Sequence, residues 1–98
     1  MFILSFNNVK ANHEVDDAAQ EQRAFLEKYI AAGIFLAAGA KIPRTGGIIV
    51  AQGVTRAEID AIVAAAPFAQ RGFATVEVTE FKAVFVAPGV RVFPMEQT

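Results

Sequence analysis

The sequence contains no cysteine and a single histidine, His13, among its 98 residues. Without cysteine the chain can form no disulfide, no thiolate metal site and no cysteine nucleophile. One histidine cannot build a multi-histidine metal site within a subunit. Because His13 lies in a polar segment, we expect it to be exposed, and we expect no catalytic histidine, no metal and no other cofactor.

Charge is also scarce, at 19% of residues, with nine basic and ten acidic groups and a net charge of −1. The basic residues are spread singly, so nothing neutralises a run of phosphates and nucleic-acid binding is not expected. No apolar run is long enough to cross a membrane. The apolar residues 1–6 follow no positive region and precede no cleavage-type site. They favour a first strand in a soluble, cytoplasmic protein.

Apolar residues are abundant instead, at 54% of the chain, with nine phenylalanines. Ninety-eight residues fit one domain, and a domain of this size has a large surface relative to its volume. The apolar surplus exceeds what a small monomer hides, which predicts a homo-oligomer and most simply a two-fold dimer. A ligand tunnel lined by the surplus is the alternative.

Periodicity along the chain predicts four strands and two helices. A capping box, Thr55 with Glu58, opens the second helix, and Gly33 supplies a stop for the first. A loop is predicted at 68–72, and a bulge near Thr79 and Glu80 would explain a phase shift in the last alternation. The strands are predicted at 2–6, 34–38, 47–51 and from 73 onward, and the helices at 15–32 and 55–66.

The order β-α-β-β-α-β predicts an α+β, ferredoxin-like fold, with a four-stranded antiparallel sheet and both helices on one face. A second subunit would cover the other face and give a dimeric α/β barrel. We expect a single domain over residues 1–98, with a core at about 1–86 and a C-terminal arm at about 87–98. This apolar arm is a candidate for crossing to the partner subunit.

A short polar hinge, residues 42–47, reads Ile-Pro-Arg-Thr-Gly-Gly between two apolar strands. It would hold the Arg44 guanidinium at a sheet edge, beside backbone amides that no side chain shields. Such a group fits a small anion or a carbonyl, since a guanidinium can hold a carboxylate or phenolate through two bonds. Arg44 could equally be a solvated turn charge or form a salt bridge to a neighbouring subunit.

Gln22 lies at the centre of the apolar stripe of the first predicted helix, one turn from Ala18 and Phe25. A buried amide needs hydrogen-bond partners. One interpretation is a structural glutamine bonded to a strand backbone or a loop, and the other is a ligand contact. An amide does not titrate, so Gln22 cannot act as a general base in either case.

Five segments together resemble one known family, and they span most of residues 1–85. The hinge is the most specific of them. The segments are Arg23-Ala24-Phe25-Leu26, Ala31-Ala32-Gly33, the hinge with Ile48-Ile49, Pro67-Phe68 and Glu80-Phe81-Lys82. The pattern is similar to that of the YCII-related family, within the wider set of dimeric α/β-barrel proteins.

The resemblance implies a ferredoxin-like fold, a homodimer and a cleft for a small organic molecule. The family pattern also has a histidine in the first helix and an aspartate directly before Pro-Phe, regarded as a catalytic pair. In this sequence those positions hold Gln22 and Ala66. Losing a general base typically lowers a rate by about 10²–10⁴-fold, so we expect no catalytic residue here.

These observations favour a non-catalytic or degenerate barrel that binds a small anionic or aromatic ligand. One alternative is an enzyme, of lyase, isomerase or hydrolase type, that uses Arg44 without a histidine base on a small organic acid or ring compound. Another is a structural or assembly subunit whose cleft is filled by phenylalanines. The candidate ligand-binding residues are Gln22, Arg44, Thr45, Gly46, Ala66 and Phe68.

Overall fold

The computed structural model describes residues 1–90, apart from the side chain of Asn12. Its elements are β1 (Phe2–Asn8), α1 (Asn12–Asp17), α2 (Ala19–Ala31), β2 (Phe35–Ala40), β3 (Gly46–Ala51), α3 (Arg56–Ala64), α4 (Pro67–Gln70) and β4 (Ala74–Glu80). The strands form one antiparallel sheet in the order β2-β3-β1-β4. The predicted ferredoxin-like α+β fold is confirmed.

The core lies between the helices and one face of the sheet. Along β1, Phe2, Leu4 and Phe6 are buried, and Leu4 is opposite Ile49 of β3 and Val78 of β4. This period of two is what a strand with one covered face requires. The helices contribute mainly apolar side chains to the same cluster.

The ends of two elements follow the predicted chemistry. Gly33, which follows the C-cap residue Ala32 of α2, has a φ of 77°, a conformation that glycine adopts without strain. At the start of α3, the Glu58 amide donates to the Thr55 hydroxyl at 3.2 Å, and the Thr55 amide donates to the Glu58 carboxylate at 3.1 Å. Both helix boundaries were therefore encoded locally.

The helical segments differ from the prediction in two places. The predicted single helix over 15–32 is wrong, because the chain leaves helical geometry at Ala18, where φ is −102° and ψ is 6°. Ala18, which joins α1 to α2, is completely buried. The predicted loop at 68–72 begins instead as the short helix α4, whose first residue, Pro67, suits a helix start.

The predicted bulge near Thr79 and Glu80 is also wrong. The β1–β4 register runs without a shift from Asn8 opposite Ala74 to Phe2 opposite Glu80. The break in alternation marks the end of β4, after which the Phe81 amide donates to the Met1 carbonyl at 2.9 Å. The irregularity of the sheet lies in β2 instead, directly after Phe35.

The second face of the sheet is called the open face, and Ile3, Ala37 and Val50 define it. Val50 is opposite Ile3 in β1 and Ala37 in β2. Ile3 and Val50 are only half-buried and Ala37 is exposed. Within residues 1–90, the open face thus has an uncovered apolar patch at these three residues, whereas its β4 side is polar, with Glu77 and Thr79 opposite Ser5 and Ile3.

The segment after β4 is apolar and largely exposed, and the Phe85 side chain is 93% exposed. Residues 87–90 of the predicted arm are exposed as well, whereas residues 91–98 lie outside the described residues. A single domain over 1–98 stays a prediction. Among residues 1–90, no helix is both long and apolar enough to cross a membrane.

Candidate functional site

A cavity of about 240 Å³ lies between α2, the hinge and the adjoining ends of the sheet strands. Its walls are mainly aliphatic and aromatic, with Val15 of α1, Leu26 of α2 and Ile49 of β3 among them. Three polar side chains also line it, namely Asn8, Gln22 and Arg44. The cavity is therefore an apolar compartment with a small number of hydrogen-bonding groups, as is usual for small-molecule sites.

The room in the cavity comes from residues with little or no side chain. β2 contributes Ala38, Gly39 and Ala40, and the start of β3 contributes the two hinge glycines. Gly46 is also forced by packing, since a Cβ there would lie 1.7 Å from the Phe6 carbonyl oxygen. The backbones of β1 and β3 approach each other so closely that only glycine fits.

Gln22 is buried, with 8% of its surface exposed. Its Oε1 accepts a hydrogen bond of 3.2 Å from the Phe68 amide. Phe68 is two residues after Ala66. This hydrogen bond therefore brings Gln22 close to Ala66, and these are the two positions that hold the proposed catalytic pair in the family pattern. Among the described residues, the Nε2 amide group of Gln22 has no hydrogen-bond partner. Its two N–H donors are therefore available to a molecule in the cavity.

Arg44 lies where the cavity meets solvent, with 47% of its side chain exposed. Its guanidinium forms an ion pair with Asp16, at the end of α1. The sequence left Arg44 either as a solvated turn charge or in a salt bridge to another subunit. The structure shows a third arrangement, an ion pair within the same chain. Arg44 is the charged residue of the cavity lining.

Backbone hydrogen bonds fix the hinge that carries Arg44. The Lys41 amide donates to the Gly46 carbonyl at 2.9 Å, which closes the hinge at its base. The Asn8 amide donates to the Thr45 carbonyl at 2.9 Å, which ties the hinge to β1. The Ile42–Pro43 peptide bond is cis.

The structure separates the six candidate residues into two groups. Gln22, Arg44, Gly46 and Phe68 line the cavity together. Thr45 and Ala66 are not among the lining residues; Thr45 is exposed, and Ala66 is completely buried in the core. Ligand contact by any of the six stays a prediction.

The sequence prediction missed Asn8, because it ended the first strand at residue 6. Asn8 is the last residue of β1 and lines the cavity. The signal was present, because Phe2, Leu4 and Phe6 set an alternation that places Asn8 on the same face. Its amide adds a second neutral donor and acceptor to the site.

The chemistry of the site is hydrogen-bond donation inside an apolar compartment. The guanidinium and the two amides match oxygen acceptors such as a carbonyl, carboxylate or phenolate. His13 is exposed and is not among the lining residues. Within residues 1–90, no group of three or more histidine and acidic side chains is placed to hold a metal ion.

Comparison with solved structures shows where this fold occurs. The chain is similar to 5-chloro-2-hydroxyhydroquinone dehydrochlorinase from Burkholderia phenoliruptrix, in complex with 2,5-dihydroxybenzoquinone, with a TM-score of 0.68. The match covers 84% of this chain and 94% of that chain at 18% identity. At that identity the likeness shows a common fold.

Sequence comparison identifies the family. No protein of curated function matches the sequence significantly. The model of the YCII-related domain matches residues 1–82, which is most of the chain. The chain therefore belongs to the family of YCII-related domains.

Proposed function

We propose that this chain binds a small oxygen-bearing organic molecule, anionic or aromatic, in the cavity between α2 and the hinge. The observation that carries the proposal is that the cavity is open and that Gln22 and Arg44 both line it. Gln22 and Arg44 are separated by 21 residues in the sequence, and the fold brings both to the lining of this cavity.

The volume of the cavity limits the size of the ligand. Pockets for drug-sized molecules measure about 300–1,000 Å³, and an apolar cavity of about 150 Å³ admits benzene. At about 240 Å³, the cavity suits a single substituted ring or a short-chain acid. The similar dehydrochlorinase, which is named for a chlorinated dihydroxyphenol and was solved with a dihydroxybenzoquinone, supports oxygenated six-membered rings as the first compounds to test.

The polar groups indicate how such a molecule would be held. The guanidinium would take the most negative oxygen, because charge-assisted bonds are about twice as strong as neutral ones. The Nε2 amide group of Gln22 would donate to a second oxygen of the ligand. The aliphatic walls would cover the carbon skeleton, and their burial supplies the larger share of the affinity.

Binding without histidine-based catalysis is supported by the two family positions. Gln22 has no titrating group, and its Oε1 already accepts from the Phe68 amide. Ala66 offers no side-chain oxygen. An enzyme that relies on Arg44 electrostatics is the second candidate, favoured by the cation at an apolar cavity and by the enzymatic neighbour. Turnover of a bound ring compound would distinguish it from a binding protein.

A purely structural subunit would need a cleft closed by aromatic rings. Phe25 packs instead against Tyr29 and Phe35, with ring centroids 5.2 and 5.7 Å away. Phe6 and Phe68 line the cavity without filling it, whereas Phe25 and Phe73 are not among its lining residues. The arrangement favours a site over a filled core.

The ligand prediction is tested by thermal shift with hydroxybenzoates, hydroxybenzoquinones and short aliphatic carboxylates. A ligand at a hundred times its Kd adds about 2.7 kcal/mol to the free energy of unfolding. Arg44→Ala should weaken binding at least about tenfold, which is about 1.4 kcal/mol, because the charged donor is lost.

The matched control for this test is Arg71→Ala. Arg71 pairs with Glu21, and the two side chains are 46% and 54% exposed, against 47% and 56% for Arg44 and Asp16. Arg71 does not line the cavity. If Arg44→Ala keeps the full ligand shift, Arg44 does not belong to the site. If no compound of this class shifts the wild-type protein, the proposed function is wrong.

We also propose that two copies pair through the open face to form a dimeric barrel. The half-buried Ile3 and Val50 support this, because a partner sheet would remove their remaining surface from water. Light scattering should give twice the 10.5 kDa of one chain. A mass of one chain at all tested concentrations would contradict the dimer and leave the ligand proposal untouched.

A further inference from the structure

One carboxylate faces the cation of the site. Asp16 lies in the last turn of α1 and pairs with Arg44 where the cavity opens to solvent. The preceding residue, Val15, is 3% exposed and forms part of the cavity wall. The short helix α1 thus supplies both a piece of the wall and the counter-ion of the charged lining residue.

We infer that Asp16 competes with anionic ligands for Arg44 and so sets the charge preference of the site. This inference rests on the proposed function. Asp16 holds the guanidinium at Nη2, so a ligand carboxylate that takes two N–H groups must either displace Asp16 from Nη2 or share the cation with it, and in both cases it lies beside a like charge. A neutral ligand of the same shape, with a carbonyl oxygen, needs no such displacement.

The exposure of the pair makes the competition possible. Asp16 is 56% exposed and Arg44 47% exposed, and ion pairs exposed to this degree are weak and screened by salt. Displacement of Asp16 is therefore accessible to a ligand. The displaced carboxylate remains close on α1, and its like charge lowers the affinity for an anion. The site should favour neutral oxygenated rings over their carboxylate analogues more than an unopposed arginine would.

The test uses two probes of one shape, 4-hydroxybenzoate and 4-hydroxybenzamide, titrated into the full-length protein and followed by NMR. Asp16→Asn keeps the size of the side chain and removes its charge. We expect it to tighten 4-hydroxybenzoate at least about fivefold and to change 4-hydroxybenzamide less than about twofold. Since Asp17 follows directly, the D16N/D17N double variant is measured as well.

Glu21→Gln is the matched control, because Glu21 pairs with Arg71 at nearly the same exposure but outside the cavity lining. It should leave both affinities unchanged. If D16N and D16N/D17N bind the benzoate no tighter than wild type while either probe still binds, the competition is wrong and the proposed function stands. Weaker benzoate binding by D16N would also overturn it, since Asp16 would then be positioning Arg44. If neither probe binds any of these proteins, this inference is wrong, and the wider thermal-shift panel decides the proposed function separately.

Discussion

Gly46→Ala is expected to unfold the protein or to lower its free energy of unfolding by about 3 kcal/mol or more. The added Cβ would lie 1.7 Å from the carbonyl oxygen of Phe6 and 2.7 Å from its carbonyl carbon. Both are backbone atoms in the middle of the sheet, so no side-chain rotation can relieve the overlap. β1 and β3 would have to separate where Asn7 is opposite Gly46.

Gly39→Ala is the control for this substitution. Gly39 also lines the cavity, but a Cβ at Gly39 would meet nothing within 4 Å. Removing backbone freedom from the unfolded chain at such a site is worth about 0.4–1 kcal/mol in favour of folding. Urea denaturation of both variants gives the comparison. A Gly46→Ala protein as stable as the Gly39→Ala protein would show that the two backbones do not approach as described.

Gln22→Ala is expected to lower the free energy of unfolding by about 1–3 kcal/mol, because it leaves the Phe68 amide without its acceptor. The residue that caps the N-terminus of α4 is Ala66, and its methyl group cannot accept a hydrogen bond from the helix. Gln22 supplies from α2 the oxygen that a capping residue would normally provide. Gln20→Ala, an exposed glutamine of the same helix, should change stability by less than about 0.5 kcal/mol.

A double-mutant cycle with Ala66→Asp tests the capping role directly. Ala66 has the extended backbone typical of a cap residue, with φ −62° and ψ 131°, so the carboxylate of A66D can accept from the amides that follow it. Gln22→Ala should then cost at least about 1 kcal/mol less in the A66D background than in wild type. If the two substitutions change the free energy of unfolding additively, Gln22 does not cap α4. If Gln22→Ala and Gln20→Ala change the free energy of unfolding equally, the capping role is likewise excluded.

Much of the fold could be predicted from local patterns. The alternation in β1, the capping box of Thr55 and the stop at Gly33 each depend on a few neighbouring residues, and each is found where the pattern placed it. The break at Ala18 could not be predicted, because alanine is a good helix former and the complete burial of this residue is visible only in the folded chain.

The site was predictable only in part, for a similar reason. Gln22 and Arg44 were found because an amide in an apolar stripe and a cation in a rigid hinge are unusual locally. Asp16 was not, since its partner Arg44 is 28 residues away and only the folded chain brings them together. Asn8 could have been predicted by continuing the alternation of β1 for two more residues.

The small residues of β2 have a consequence for how this site can diversify. Ala38, Gly39 and Ala40 leave the space that the cavity occupies, whereas the polar groups are supplied by β1, α1, α2 and the hinge. For the proposed ligand, size would depend mainly on β2, and charge would depend on Arg44 of the hinge and Asp16 of α1. A homologue could admit a larger or smaller ligand by exchanging the small side chains of β2, which is an edge strand. It could change the charge of the preferred ligand by a separate substitution at Asp16.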